Sequence, residues 1–173
     1  MNNRYETFWP RCAAAIIDGI IFLPVSAVIG YVYKEGLPIV VYIALVFDNF
    51  LLFSYSIYFH GKFGQTLGKY FMKVRVLSVD ETQLSMRQAF VRDCLPISLV
   101  VVYLLFAISP VFSGAPPNTQ AFKQQIPLVI YFVGPVILAL EIGTMLTNSK
   151  RRSLHDLIAG SVVVRRFDTS VER

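Results

Sequence analysis

Cys12-Ala13-Ala14-Ala15-Ile16-Ile17-Asp18-Gly19-Ile20-Ile21-Phe22-Leu23-Pro24-Val25-Ser26-Ala27-Val28-Ile29-Gly30-Tyr31-Val32-Tyr33 is the stretch that decides the fold. A bilayer core needs about twenty consecutive, mostly apolar residues. This stretch supplies them and carries a single charge, Asp18. A carboxylate at that depth costs roughly 3 kcal/mol or more unless it is paired, protonated or wetted. The run is too long for the core of a cleavable signal, and no clear small-residue cleavage site follows it, so it reads as a retained span.

Three further runs have the same character: Leu37 to Phe59, Cys94 to about Phe112, and Ile126 to Thr147. Backbone groups in lipid must be satisfied internally, so each should be a helix. Pro24, Pro96, Pro110, Pro127 and Pro135 lie near ends or act as tolerated kinks. The composition agrees: 55% of the 173 residues are hydrophobic and the mean hydropathy is +0.57, which excludes an ordinary soluble domain. The length suits one transmembrane domain spanning residues 1–173.

Charge sets the orientation. The links Lys34 to Gly36 and Ser113 to Gln125 carry only Lys34 and Lys123. The other fourteen of the sixteen Lys and Arg residues lie in the N-terminus, the link from His60 to Asp93, and the tail from Asn148. That asymmetry predicts cytoplasmic N- and C-termini in a multi-pass protein of the cell (inner) membrane. The net charge of +5 flanks apolar runs, so it reads as a topology signal and not as a nucleic-acid surface.

Within the central link, Phe63, Leu67, Tyr70, Phe71 and Val74 recur at helix spacing, with Lys62, Lys69 and Lys73 on another face. This predicts a basic amphipathic helix from Lys62 to Val76, lying in the headgroup layer. Gly64 and Gly68 within it point to close packing or a break. Val74 to Val79 followed by Asp80-Glu81-Thr82-Gln83 reads as a short hairpin. Ser85-Met86-Arg87-Gln88 has capping-box spacing and should open the helix leading into the third span. In the tail, Ser153 should cap a short helix holding His155 and Asp156, which Gly160 ends. The expected class is therefore an all-α membrane protein. It has four transmembrane helices, a cytoplasmic amphipathic helix between the second and third, and both termini cytoplasmic.

The ionisable groups in the spans are the functional candidates. Arg11 and Asp18 share one face of the first helix, two turns apart, about 10 Å along the axis. Glu141 lies at nearly the same depth in the fourth helix, so the two acids can share a proton or hold a cation if those helices are neighbours. Asp48 lies nearer the midplane, with Tyr55 on its face, and extends a possible route outward. Ala15 and Gly19, Ser26 and Gly30, and Ala139 and Gly143 have the four-residue spacing of helix contacts.

Other chemistry finds little support. Cys12 and Cys94 have no zinc or redox spacing and read as small buried residues. His60 and His155 lack metal-ligand spacing, and no placed nucleophile accompanies His155-Asp156. No cofactor, no metal and no enzymatic activity are expected.

Arg11 entering the first span, Asp18 within it, Gly64-Gln65-Thr66-Leu67-Gly68-Lys69 after the second, and Arg152-Ser153-Leu154-His155-Asp156-Leu157-Ile158-Ala159-Gly160-Ser161-Val162-Val163-Val164 in the tail together resemble the RDD family of membrane proteins. The likeness runs from about Trp9 to Arg166. The family is named for one arginine and two aspartates. The resemblance maps these to Arg11, Asp18 and Asp156 and implies transport, sodium/proton exchange in some members. Asp48 and Glu141 lie outside that set and rest on the burial argument alone.

The expected function is a proton-coupled carrier of a small cation. Asp18, Glu141 and Asp48 bind the ion or proton. Arg11 gates or tunes, and Asp156 pairs with a cation such as Arg11 or Arg152. The partners are the lipid bilayer, the cation and the proton, with no nucleic acid. Four helices are few for alternating access, which favours a homo-oligomer. The competing expectation is a non-catalytic scaffold or accessory subunit that binds lipid or protein through its basic face.

Overall fold

The structure, a computed structural model, describes residues 3–35, 37–108, 112 and 128–166. Gly36, Pro110, Pro127 and the expected loop over 113–125 with Lys123 lie outside the described residues. A 3-10 turn at Asn3–Tyr5 precedes α1 (Phe8–Glu35) and α2 (Pro38–Phe63). Then come α3 (Leu67–Phe71), β1 (Val74–Ser78), α4 (Met86–Ala107), α5 (Leu128–Thr147), α6 (Leu154–Ala159) and β2 (Ser161–Arg165).

Three helices are long and apolar enough to cross a membrane, over Phe8–Val32, Ile39–Phe63 and Met86–Ala107. The apolar stretch of α5, Phe132–Thr147, is shorter. The third helix starts at Met86, a little over two turns before the expected Cys94, because the capping box at Ser85 and Gln88 fixes its beginning. Pro24, Pro96 and Pro135 sit inside α1, α4 and α5 without ending them.

Burial is inverted relative to a soluble protein. Ile16, Ile20, Leu23 and Val28 of α1 and Ile43, Phe47 and Phe50 of α2 face outward, while Arg92, His60, Asp156 and Ser153 are buried. Apolar side chains outside and polar ones inside is the arrangement a lipid solvent selects. Among the described residues, a conventional core lies at one end, where Val74, Val76, Leu84, Ala89 and Val163 pack together with Ile57 and Met72.

That end is a compact cap. β1 pairs antiparallel with β2 in the register Val74↔Arg165 to Ser78↔Ser161. This corrects two expectations. The class is not purely all-α, and β1 does not fold back as a hairpin with 80–83. The chain turns there without forming a second strand: one antiparallel bridge, Leu77↔Gln83, the Ser78 N–H donating to the Thr82 carbonyl and the Glu81 N–H donating to the Ser78 carbonyl. The continuous Val162-Val163-Val164 run is buried and completes the sheet from the tail.

The amphipathic helix expected from Lys62 to Val76 is also replaced. Lys62 and Phe63 finish α2. Gly64 ends it in the left-handed region at φ 71°; its N–H donates to the His60 carbonyl and the following Gln65 N–H to the Phe59 carbonyl. A side chain there would sit strained and within 2.8 Å of the Val76 carbonyl oxygen. Thr66 then caps the short α3, its hydroxyl accepting from the Lys69 N–H. The helical periodicity was real over α3 alone; the β-branched Val74 and Val76 were claimed by the sheet instead.

The tail helix follows its sequence signals. Ser153 and Asp156 form a capping box, and Gly160 closes α6 at φ 61°. Among the cysteines, Cys94 is half-buried but Cys12 is exposed, against the expectation of two buried side chains. Cys12 lines the open cavity between the helices, which accounts for its exposure.

Candidate functional site

The site is a cavity of about 700 Å³ reached by α1, α2, α3, α4, α5 and α6. Its polar wall includes Asp18, His60, Lys69, Asp93, Glu141 and His155; its apolar wall includes Phe22, Leu99, Ile137 and Met145. At about 30 Å³ of liquid volume per water, such a space can hold more than a dozen waters. A small cation there can keep much of its hydration.

Asp18 is held by three donors. The Tyr55 hydroxyl donates to Oδ1 at 2.9 Å, the Thr66 hydroxyl to Oδ2 at 2.6 Å, and the Gly68 N–H to Oδ1 at 2.8 Å. The Leu67 N–H in turn donates to the Tyr55 hydroxyl at 2.9 Å. The α3 turn is thereby folded around one carboxylate of α1. Gly68 allows it, since a Cβ there would overlap the Ala14 carbonyl oxygen and approach the Asp18 carboxyl carbon at 2.9 Å. This is a backbone approach that only glycine permits.

Asp156 anchors a second cluster. It is fully buried, and Arg11 Nη1 donates to its Oδ2 at 2.6 Å while Arg92 Nη2 lies 3.4 Å from Oδ1. The Ser153 and Ser161 hydroxyls donate at 2.9 Å and 3.0 Å. Burial alone would push this carboxyl up, but Arg92 and Arg11 outweigh it and hold it well below the usual carboxylate range. Arg11 also donates to the Arg151 carbonyl at 3.2 Å and to the Thr7 hydroxyl at 3.1 Å. Arg152 does not pair with the Asp156 carboxylate: its Nε donates to the Ser161 carbonyl at 2.9 Å and its Nη2 to the Asp156 carbonyl at 3.2 Å.

Glu141 and Asp18 line the same cavity but do not share a proton directly. Glu141 Oε2 lies 2.7 Å from His155 Nδ1, and Oε1 accepts from the His155 N–H at 3.2 Å. Each acid has partners of its own: Glu141 has His155 of the tail helix α6, and Asp18 has its three donors from α2 and the α3 turn. Asp48 is half-buried on α2 and does not line the cavity. Among the described residues, no three His, Cys, Asp or Glu side chains converge as a metal site.

Sequence reasoning missed Arg92, Asp93, Lys69 and His60 as site members. Arg92 is only 4% exposed, and its Nη2 lies 2.9 Å from His155 Nε2. Its Nη1 and the Asp93 Oδ2 are buried without a hydrogen-bond partner. The adjacent pair Arg92-Asp93 at the start of a span was the available signal. The pair marks the boundary of the link in the sequence because both charges lie before the first wholly apolar stretch.

A family profile described as the RDD family matches residues 5–160. No curated protein and no solved structure matches the chain.

Proposed function

The chain belongs to the RDD family, and on that premise we propose that it is a multi-pass transporter exchanging a small cation for protons. Asp18 and Glu141, joined by Asp93, offer carboxylate oxygens to the cation or the proton in turn. Asp48, on α2 outside the cavity lining, is the candidate group for carrying the route on toward the opposite side. The Arg11–Asp156–Arg92 cluster closes the end of the cavity beside the cap, and Arg152 braces the tail. The basic end carries fourteen of the sixteen Lys and Arg residues, which favours cytoplasmic termini in a cell inner membrane. Three long apolar helices and a shorter fourth are few for alternating access, which favours a homo-oligomer. The reading involves no covalent catalysis and no cofactor.

The supporting observation is the cavity itself: about 700 Å³ of space lined by three carboxylates, enclosed by helices whose outer faces are apolar. Ionisable groups inside a membrane bundle mark ion and proton pathways more often than struts. The test is a proteoliposome assay of purified protein, scanning sodium, potassium and lithium against a pH gradient. Cation-dependent collapse of the gradient is expected, and its abolition by Asp18→Asn in a folded variant. Wild-type protein that moves none of these ions overturns the reading.

A second reading has its own observation. Both acids that the family name points to are saturated, Asp18 by three neutral donors and Asp156 by two guanidiniums and two hydroxyls. Saturated acids suit a non-catalytic scaffold or accessory subunit whose cap binds lipid or a protein partner. Absent flux together with an unfolded Asp18→Asn variant favours it.

A further inference from the structure

Lys69 is the one cavity cation with no acid of its own. Its Nζ lies 2.5 Å from His60 Nε2, and it makes no ion pair among the described residues. Ser56 stands behind the imidazole, its Oγ 3.2 Å from Nδ1. The charged groups around Lys69 come from every neighbouring element: Arg11 and Asp18 from α1, His60 from α2, Arg92 and Asp93 from α4, Glu141 from α5, and His155 and Asp156 from α6.

The acids among them are mostly engaged. Asp156 is taken by Arg11 and Arg92, Asp18 by its three donors, and Glu141 by His155. Only Asp93 keeps a buried oxygen without a partner. An ammonium placed there loses water and faces two guanidiniums. Burial first, then Arg92 and Arg11, therefore hold Lys69 well below the ordinary lysine range, against a smaller opposing pull from Asp156 and Asp93.

We propose that Lys69 and His60 form a further exchangeable proton site of this chain beside its carboxylates, and that a small monovalent cation entering the cavity takes the place of that proton. The proposal rests on the transport reading and names its coupling group. In the step, an Nζ–H bond of the ammonium breaks, the electron pair stays on nitrogen, and the proton leaves to water. The incoming cation restores the lost positive charge, so the exchange is electroneutral. Asp93 and Glu141 supply oxygens on the same cavity wall. A neutral amine no longer repels the cation, whereas an ammonium does, so proton and cation exclude one another. Geometry also ties Lys69 to Asp18: the N–H of the preceding Gly68 is one of the three donors on that carboxylate.

The test reads Lys69 directly. Full-length protein with isotope-labelled lysine is titrated in nanodiscs, following the Nζ resonances, and Lys69→Arg assigns the signal. One lysine is expected to lose its proton at a lower pH than the rest. Its midpoint should fall further when sodium, potassium or lithium chloride replaces N-methylglucamine chloride at constant ionic strength. His60→Asn should move the same resonance while the others stay in place. Lysines that titrate together, or a Lys69 midpoint indifferent to all three cations, overturn the proposal. A cation-sensitive Lys69 in a protein that shows no flux in liposomes keeps this site and removes the transport reading instead.

Discussion

Arg11 Nη1 and Asp156 Oδ2 lie 2.6 Å apart across 145 residues of sequence. The contact pins the tail cap to the mouth of the first helix. Asp156 also faces Arg92 Nη2 at 3.4 Å, so one carboxylate balances guanidiniums from two helices.

Asp156→Asn should therefore be more damaging than loss of a surface ion pair. It leaves Arg11 and Arg92 buried beside a neutral amide, and removing one partner of a buried pair costs about 3–5 kcal/mol. The unfolding temperature in detergent should fall steeply, with Arg11→Gln falling less because Arg92 still holds the acid. The pH sign follows from linkage. The folded-state carboxyl sits well below its unfolded range, so its contribution is complete above the unfolded value near ~3.9 and is lost only as pH drops through the lower folded value. Wild-type stability that already declines between neutral pH and about 5 from this group would contradict the assignment.

Gly68→Ala tests whether α3 really presses on α1. A Cβ at Gly68 would overlap the Ala14 carbonyl and crowd Asp18 of α1, whereas one at Gly19, next to Asp18 on α1, would have nothing within 4 Å. Overpacking of this kind costs typically ~1–3 kcal/mol. Gly68→Ala should lower the unfolding temperature and displace the Asp18 contacts, while Gly19→Ala should be neutral or slightly stabilising. Equal effects at the two sites would mean that α3 does not sit against α1.

These contacts show what was legible in the sequence. Span existence was, because lipid demands long apolar runs and the chain has them. The capping box at Ser85–Gln88 was, and so was the Ser153 cap, though not its reciprocal bond from Asp156, because caps are local chemistry. The β1–β2 pairing was not. Val74 to Ser78 meets Ser161 to Arg165 only after the intervening helices have returned the chain, and no local pattern encodes that register. Helical spacing over 62–76 misled for a related reason, since Gly64 and tertiary pairing overrode periodicity. In the site, Asp18 and Glu141 stood out by depth, while Lys69, His60, Arg92 and Asp93 hid in a stretch that looked like a charged link. Their burial is created by the cap folding over them, a long-range event.

Lys69 should give stability an unusual pH slope. Its proton is held more weakly in the folded chain than in the unfolded one. The unfolded chain therefore binds more protons between the folded midpoint and the ordinary lysine value of about 10.4. Stability rises with pH across that interval, and the penalty is complete below it. Unfolding temperature measured through the alkaline range should climb in wild type and climb less in Lys69→Met. An unchanged slope in the variant would place the titration on another group.

Glu141→Gln separates a cation ligand from a strut. Glu141 meets His155 through both oxygens, at 2.7 Å and 3.2 Å, but the pair is partly open, with side-chain exposures of 16% and 29%. Pairs that reach solvent contribute about 0–1 kcal/mol, and the glutamine keeps an oxygen for the His155 N–H. The variant should therefore unfold within a few degrees of wild type. If Glu141 is a ligand, cation flux in liposomes should fall at least tenfold, roughly 1.4 kcal/mol or more of lost stabilisation, while His155→Gln, which keeps the carboxylate, should retain most of it. A Glu141→Gln protein that transports normally but loses the α5–α6 contact would make the acid a strut and leave Asp18 and Asp93 as the remaining carboxylate ligands of the cavity.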